Sequence, residues 1–197
     1  MTYKTLFAVA AVAAATLTAA TLPSAAWAQS ATYQIDPTHT FVTWEAKHFG
    51  TSTSRGRFDK KSGMIAYDKA AKTGKADIII DMTSINTGVA PFDAHLKRDD
   101  FFAADKFPEA KFSGTQFKFE GDKLSEVVGT LTMRGISHPT TLKATGFGCY
   151  DHPMLKREVC GGDFETTIAR SKFDIKYGLP GIPDNIRLLI QVEAVKQ

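Results

Sequence analysis

The chain has 197 residues and a formal charge of +3, with 24 basic and 21 acidic side chains interspersed along it. No dense basic block with interleaved aromatics is present, so nucleic acid is not an expected partner. Downstream of the first segment no run approaches the ~18 consecutive apolar residues that a membrane-spanning helix needs.

That first segment, Met1 to Ala28, reads as a secretory signal peptide. Lys4 stands near its start, the apolar run extends from Leu6 to Leu22, and Ala26-Trp27-Ala28 precedes a cut before Gln29. The competing reading is a membrane anchor, but the run is rich in Ala and Thr, and no Lys/Arg cluster follows as a stop signal. No Cys follows it to take a lipid anchor. The expectation is an exported periplasmic protein with no stable membrane anchor after cleavage. Residues 29–197, about 170 in number, fit one domain large enough to enclose a core or a cavity.

From there the hydrophobic pattern has period two, the mark of strands with one buried face. Val42, Trp44, Ala46 and His48 share a face, and Thr43, Glu45 and Lys47 share the other. Lys60-Lys61-Ser62-Gly63 and Lys72-Thr73-Gly74 read as turns, followed by Ala76, Ile78, Ile80 and Met82 opposite Asp77 and Asp81, with Ile79 an exception on the outer face. Residues 91–102 break the rhythm. Pro91 begins a short helix with Phe92, Leu96 and Ala103 near one face and Pro108 beyond its end. Alternation resumes: turns at Glu120-Gly121-Asp122-Lys123 and at Gly135-Ile136-Ser137-His138-Pro139, with strands carrying Leu131 and Met133, then Phe164, Thr166 and Ile168. The last has Ile186, Leu188, Ile190 and Val192 opposite Arg187, Gln191 and Glu193. The count is about eight strands, in an antiparallel sandwich or barrel that periodicity alone does not separate. The helix is expected to cover an open end. No internal repeat or interdomain linker is evident.

Both cysteines, Cys149 and Cys160, lie in the exported part, where the oxidising compartment lets them pair. A zinc site would want more Cys or His at short spacing, and only His152 lies between them, so a local disulfide is expected.

Taken in order, several segments resemble the YceI-like polyisoprenoid-binding family of bacterial periplasmic proteins. They are Asp36-Pro37-Thr38-His39-Thr40 leading to Trp44 and His48; Gly56-Arg57-Phe58; Ser84-Ile85-Asn86-Thr87-Gly88; Asp93-Ala94-His95-Leu96; Asp100-Phe101-Phe102; Phe107-Pro108 with Phe112; Gly129 to Gly135; Arg170-Ser171-Lys172-Phe173; and the closing strand to Glu193-Ala194. The sequence departs from the family pattern at Arg98, Asp174 and Asp184-Asn185-Ile186. The resemblance implies an eight-stranded antiparallel lipocalin-like β-barrel with a short capping helix and a long internal pore for an isoprenoid or fatty chain.

Such a barrel is either filled by side chains or left open for one ligand. The mixture of small inward residues (Ala46, Ala76, Gly129, Ala144) with large ones (Trp44, Phe58, Ile80, Met133, Leu188) favours room inside. With the resemblance, the expected ligand-binding lining is Val42, Trp44, Ala46, His48, Phe58, Ile78, Ile80, Met82, Leu131, Met133, Ile168, Arg170, Leu188 and Ile190. Met64 is an unassigned candidate. His48 and Arg170 either hold a head group at the wall or mouth, or are satisfied structural residues at strand ends.

Catalysis is not expected. Asp93, His95, Asp99 and Asp100 form the only dense cluster of reactive groups, and a short helix spreads them around its axis. His39, His48, His95, His138 and His152 lack the short spacing of a metal motif, and no nucleophile elbow, phosphate loop or dinucleotide fingerprint occurs. No metal or cofactor is expected beyond a bound lipid-like molecule with a long apolar tail. The alternative function is a stress-response or interaction protein whose barrel is a packed scaffold. A homodimer through the last strand is possible, although closure satisfies the edges.

Overall fold

The computed structural model describes Met1 and residues 30–197; the expected leader otherwise lies outside the described residues. Among the described residues, eleven strands form one antiparallel sheet. They are β1 (Ala31–Ile35), β2 (Phe41–His48), β3 (Ser52–Phe58), β4 (Lys61–Asp68), β5 (Thr73–Asp81), β6 (Ile85–Asn86), β7 (Glu109–Glu120), β8 (Lys123–Met133), β9 (Ile136–Asp151), β10 (Glu158–Ala169) and β11 (Asn185–Lys196), with one α-helix, α1 (Ala90–Leu96), between β6 and β7.

Eight of these strands close the barrel in the order β1-β4-β5-β7-β8-β9-β10-β11, β11 returning to β1 through Tyr33 opposite Lys196 and Ile35 opposite Ala194. The other three, β2, β3 and β6, branch from the same β11 edge nearer its start, where Leu188 faces Trp44 and Ile190 faces Val42. Strands β1 and β2 therefore share one side of β11 end to end, joined by the corner at residues 36–40. The sequence count of about eight equals the ring in number but not in membership: alternation marks β2, which lies in the branch, whereas β1 and β6 are too short for it to register and β3 is largely polar.

Turn chemistry corrects several expected boundaries. Lys61, Ser62 and Gly63 belong to β4, and Gly63 is there for contact: a Cβ would stand 2.5 Å from the Asp77 carbonyl oxygen across the pair. Thr73 and Gly74 open β5, and Ile136 to Pro139 open β9, leaving Arg134 and Gly135, at φ 52° and 73°, as the tight turn. Met82 is buried, but in a 3₁₀ turn, Met82–Ser84, not on a strand. The helix stops at Leu96 and does not reach Phe102; Pro91 does occupy its first turn. Asp174, one of the departures from the resemblance, sits at φ 58°, a left-handed conformation that favours Gly.

The core is the barrel lumen. Trp44, Phe58, Met82, Leu96, Phe112, Leu131 and Met133 belong to one buried cluster, and Tyr33, Ile35, Tyr67, Cys160 and Ala194 to a second at the other end.

Candidate functional site

The lumen contains two abutting cavities. The larger, about 680 Å³, reaches solvent; the smaller is about 110 Å³. Val42, Ile80, Leu131 and Leu188 line both, so they form the waist between the chambers.

Of the expected lining, Trp44, Ala46, His48, Phe58, Met82, Met133, Ile168 and Arg170 line the larger chamber. Ile78 and Ile190 line the smaller one, and the remaining four are the waist. Alternation placed these side chains inward, and closure of the sheet brings them together. Three other candidates lie elsewhere. Met64 is exposed on β4 and lines neither cavity. Ala144 and Gly129 line neither, and Gly129 serves a close approach: a Cβ there would stand 2.3 Å from the Ser113 carbonyl oxygen.

The mouth of the larger chamber lies where its lining becomes exposed, at Lys47, His48 and Phe49 of the β2–β3 hairpin and at Tyr177 and Gly178 of the segment before β11. The hairpin and that segment are tied by the Phe49 N–H, which donates to the Gly181 carbonyl at 3.0 Å. Helix α1 covers the other side: Phe92 meets Trp44 edge-on at 6.5 Å between centroids, and His95 packs against Phe101 and Tyr177 at 4.9 and 5.5 Å. Phe49, Phe92, Leu96, Phe101, Phe102, Tyr177 and Ile182 all line this chamber but were not proposed as lining from sequence. Loops and a capping helix carry them, where no strand period marks an inward face.

Arg170 is buried at this end, and its guanidinium clamps the mouth segment. Nε donates to the Pro183 carbonyl at 3.0 Å, one terminal nitrogen to Ile175 and Tyr177 at 3.2 and 2.8 Å, and the other to Ile182 at 2.9 Å. Burial pushes its pKa down, and Asp184 opposes that shift. Asp184 also accepts from the Ser171 N–H and hydroxyl, both at 2.7 Å, which holds its carboxyl below the usual range. With four donor contacts committed to backbone carbonyls, Arg170 is built as a structural clamp. His48 is exposed at the rim, edge-on to Phe49 at 4.8 Å.

The smaller chamber has no exposed lining residue and ends blind. Tyr67 packs against Phe117, Phe119 and Phe147, with centroids 5.6 to 6.3 Å away. Its two threonines turn their hydroxyls to backbone carbonyls, Thr40 to Glu193 at 3.2 Å and Thr140 to His138 at 3.2 Å, which leaves a greasy surface. Behind it Cys149 and Cys160 are disulfide-bonded across β9 and β10. Glu158 accepts from the Tyr33 hydroxyl at 2.5 Å and from Lys69. Burial and this Glu158 contact push the Tyr33 phenol well up. For Glu158 itself burial acts upward, but the bonds from Lys69 and Tyr33 outweigh it and hold the carboxyl low.

The polar cluster of α1 stays dispersed. Asp93 accepts from the Thr87 N–H and hydroxyl at 2.7 and 2.6 Å, Asp99 pairs with Lys106 at 2.7 Å, and of the four only His95 lines the cavity. Glu158 lies close to both cysteine sulfurs, but those are bonded to each other and offer no thiolate ligand.

A closed antiparallel barrel whose lumen is kept open as an apolar, single-mouthed chamber defines the class: a lipocalin-like β-barrel with a short capping helix. The YceI-like domain family matches residues 33–194, and the chain belongs to that family. It is 36% identical over 177 residues to Protein YceI of Shigella flexneri, an alignment covering 88% of this chain and 92% of that one. Among solved structures, the YCEI protein of Campylobacter jejuni is 30% identical with a TM-score of 0.65, over 77% of this chain and 90% of that one. A polyisoprenoid binding domain from Saccharophagus degradans shares the fold at 16% identity, with a TM-score of 0.62 over 86% and 100% of the two chains.

Proposed function

We propose that this protein is an exported, non-catalytic periplasmic carrier that sequesters a polyisoprenoid or similar long-chain lipid, tail inward, in the barrel. One observation carries the reading: an apolar tunnel, open to solvent at one end and blind at the other, where a packed scaffold would have side chains. Each tail methylene removed from water stabilises the complex by about 0.8 kcal/mol, so ten contribute about 8 kcal/mol without any charged partner in the lumen. The fourteen residues expected as lining are then tail contacts, apart from the two polar ones. Arg170 shapes the mouth, and the head group rests in solvent beside Lys47 and His48. The Saccharophagus relative in fold is a polyisoprenoid binding domain, which agrees with the chemistry of this lumen. The leader and the disulfide support an oxidising compartment outside the cytoplasm.

The test is organic-solvent extraction of the protein purified from its native host, followed by mass spectrometry. A long-tailed lipid at a reproducible ratio to protein is the expected result. A protein that carries none and takes up none when offered overturns the reading.

A further inference from the structure

Resting on that carrier reading, we infer that the mouth of the barrel docks on the surface of an anionic phospholipid bilayer. The apolar wall of the larger chamber continues onto the outside. Phe49 and Tyr177 line the cavity yet are 66% and 50% exposed, and Val89 at the start of α1 and Leu179 beside Tyr177 add 53% and 37% exposed apolar side chains. The β2–β3 hairpin and the segment before β11 thus present large hydrophobic groups at the opening, and Val89 adds another just before the helix that lines the chamber. A tail that moves directly between a bilayer and this lumen is never wetted along its length.

The charges at this end are complementary to an anionic surface. Among the described residues, Lys47 at the rim, Lys97 and Arg98 after α1, and Lys172 beside Arg170 have no carboxylate within ion-pair distance. The nearby acids are mostly engaged: Asp93 by Thr87, Asp99 by Lys106, Asp174 by Lys176 and Arg134, Asp184 by Ser171; Asp100 is half-buried. Asp105, exposed and without an ion pair, is the exception, so the charge left unmatched here is mostly cationic. Basic side chains beside exposed apolar ones are the makeup of an interfacial docking surface. A second exposed apolar group, Tyr150, Met154 and Leu155 at the β9–β10 turn, lies at the blind end, where no chamber opens.

The test is co-sedimentation of the full mature protein with phosphatidylcholine vesicles, with and without phosphatidylglycerol, alongside uptake of a fluorescent polyene fatty acid from solution. Wild type is expected to bind the phosphatidylglycerol vesicles. Val89→Asp/Leu179→Asp is expected to weaken that binding about tenfold, Lys97→Glu/Arg98→Glu about fivefold per charge, and Met154→Asp/Leu155→Asp to leave it unchanged. The charge-reversal pair keeps the test decisive if the first variant misfolds. Wild type that loads the probe but ignores both vesicles overturns the docking inference and leaves the carrier reading standing; absence of probe uptake and of co-purified lipid overturns the carrier reading itself. Loss of binding only in the Met154/Leu155 variant overturns the inference, as does a wild-type dimer in light scattering that Val89→Asp/Leu179→Asp converts to monomer, since a second copy then covers the mouth.

Discussion

The two ends of this barrel solve the same problem with different chemistry. At the blind end the sheet is closed by β1 against β4 and β11, filled by the Tyr67 aromatic cluster, and stapled by Cys149–Cys160. At the mouth the chain turns to β2, β3 and α1, the chamber widens from about 110 to about 680 Å³, and the bonds that hold it are polar: Arg170 to four carbonyls and Asp184 to Ser171. The aromatics at this end, Phe92 against Trp44 and His95 against Phe101 and Tyr177, line the chamber wall, and hydrogen bonds to backbone carbonyls hold the mouth segment in place. The comparison assigns ligand entry to one end and stability to the other, and it can be broken at either.

The largest expected effect comes from filling the wide chamber. Ala46→Trp projects an indole into it from β2, and the affinity for a long-tailed probe should fall about a thousandfold, or about 4 kcal/mol, with the fold retained. In the narrow chamber, Ala76→Leu should leave binding intact and shift the bound population toward shorter tails, read by mass spectrometry of the extract. If both variants bind the same tails as wild type, the tail does not run through the waist.

Arg170→Ala comes next. It strips partners from the Ile175, Tyr177, Ile182 and Pro183 carbonyls, and at a net ~1 kcal/mol or so per hydrogen bond, more where a group is left buried, the loss should be about 3 kcal/mol by urea denaturation. Hydrogen exchange should accelerate first in residues 175–183. A variant that keeps its stability and loses only lipid affinity would return Arg170 to the head-group role. At the blind end, Cys149→Ser/Cys160→Ser should cost about 2–3 kcal/mol through release of a short closed loop, with probe affinity unchanged. Equal loss of affinity in that variant would show that the two ends are not independent.

How much of this was legible follows the same division. Strand alternation carries inward and outward information residue by residue, which is why the sequence assigns Val42, Trp44, Ala46, Ile78, Ile80 and Leu188 to the lumen, on whose wall they lie. The mouth was half hidden. Phe49 and Tyr177 lie beside Gly50 and Gly178, and a glycine-flanked aromatic in a turn was the only available signal, one that also fits an ordinary surface loop. The partners of Arg170 are backbone atoms five to thirteen residues downstream, so no side-chain pattern announces them. Gly63 and Gly129 looked like a turn and a space, and both are places where two backbones approach too closely for a Cβ.

The smallest expected effect lies at the corner where the two ends meet. Between β1 and β2, Asp36 accepts from the Thr38 N–H at 2.8 Å, the Thr38 hydroxyl at 2.6 Å and His39 Nδ1 at 2.7 Å. Partial burial alone would raise its carboxyl pKa, but these bonds outweigh it and lower the value from 3.8 to about 2. A carboxyl whose folded pKa lies below its unfolded one adds stability that is complete above the unfolded value and disappears as pH falls through the folded one, so the window runs from about pH 4 down to about 2. Asp36→Ala should therefore be less stable than wild type by about 1 kcal/mol at neutral pH, discounted for solvent, with the gap closing by pH 2. The same pairing raises the exposed His39 above its ordinary value, so the gap should also narrow as pH climbs through that raised pKa and the imidazolium is lost. A gap that stays constant from pH 2 to 9 would mean that packing at the corner, and not the charge on Asp36, carries the chain from the stapled end of the barrel to the open one.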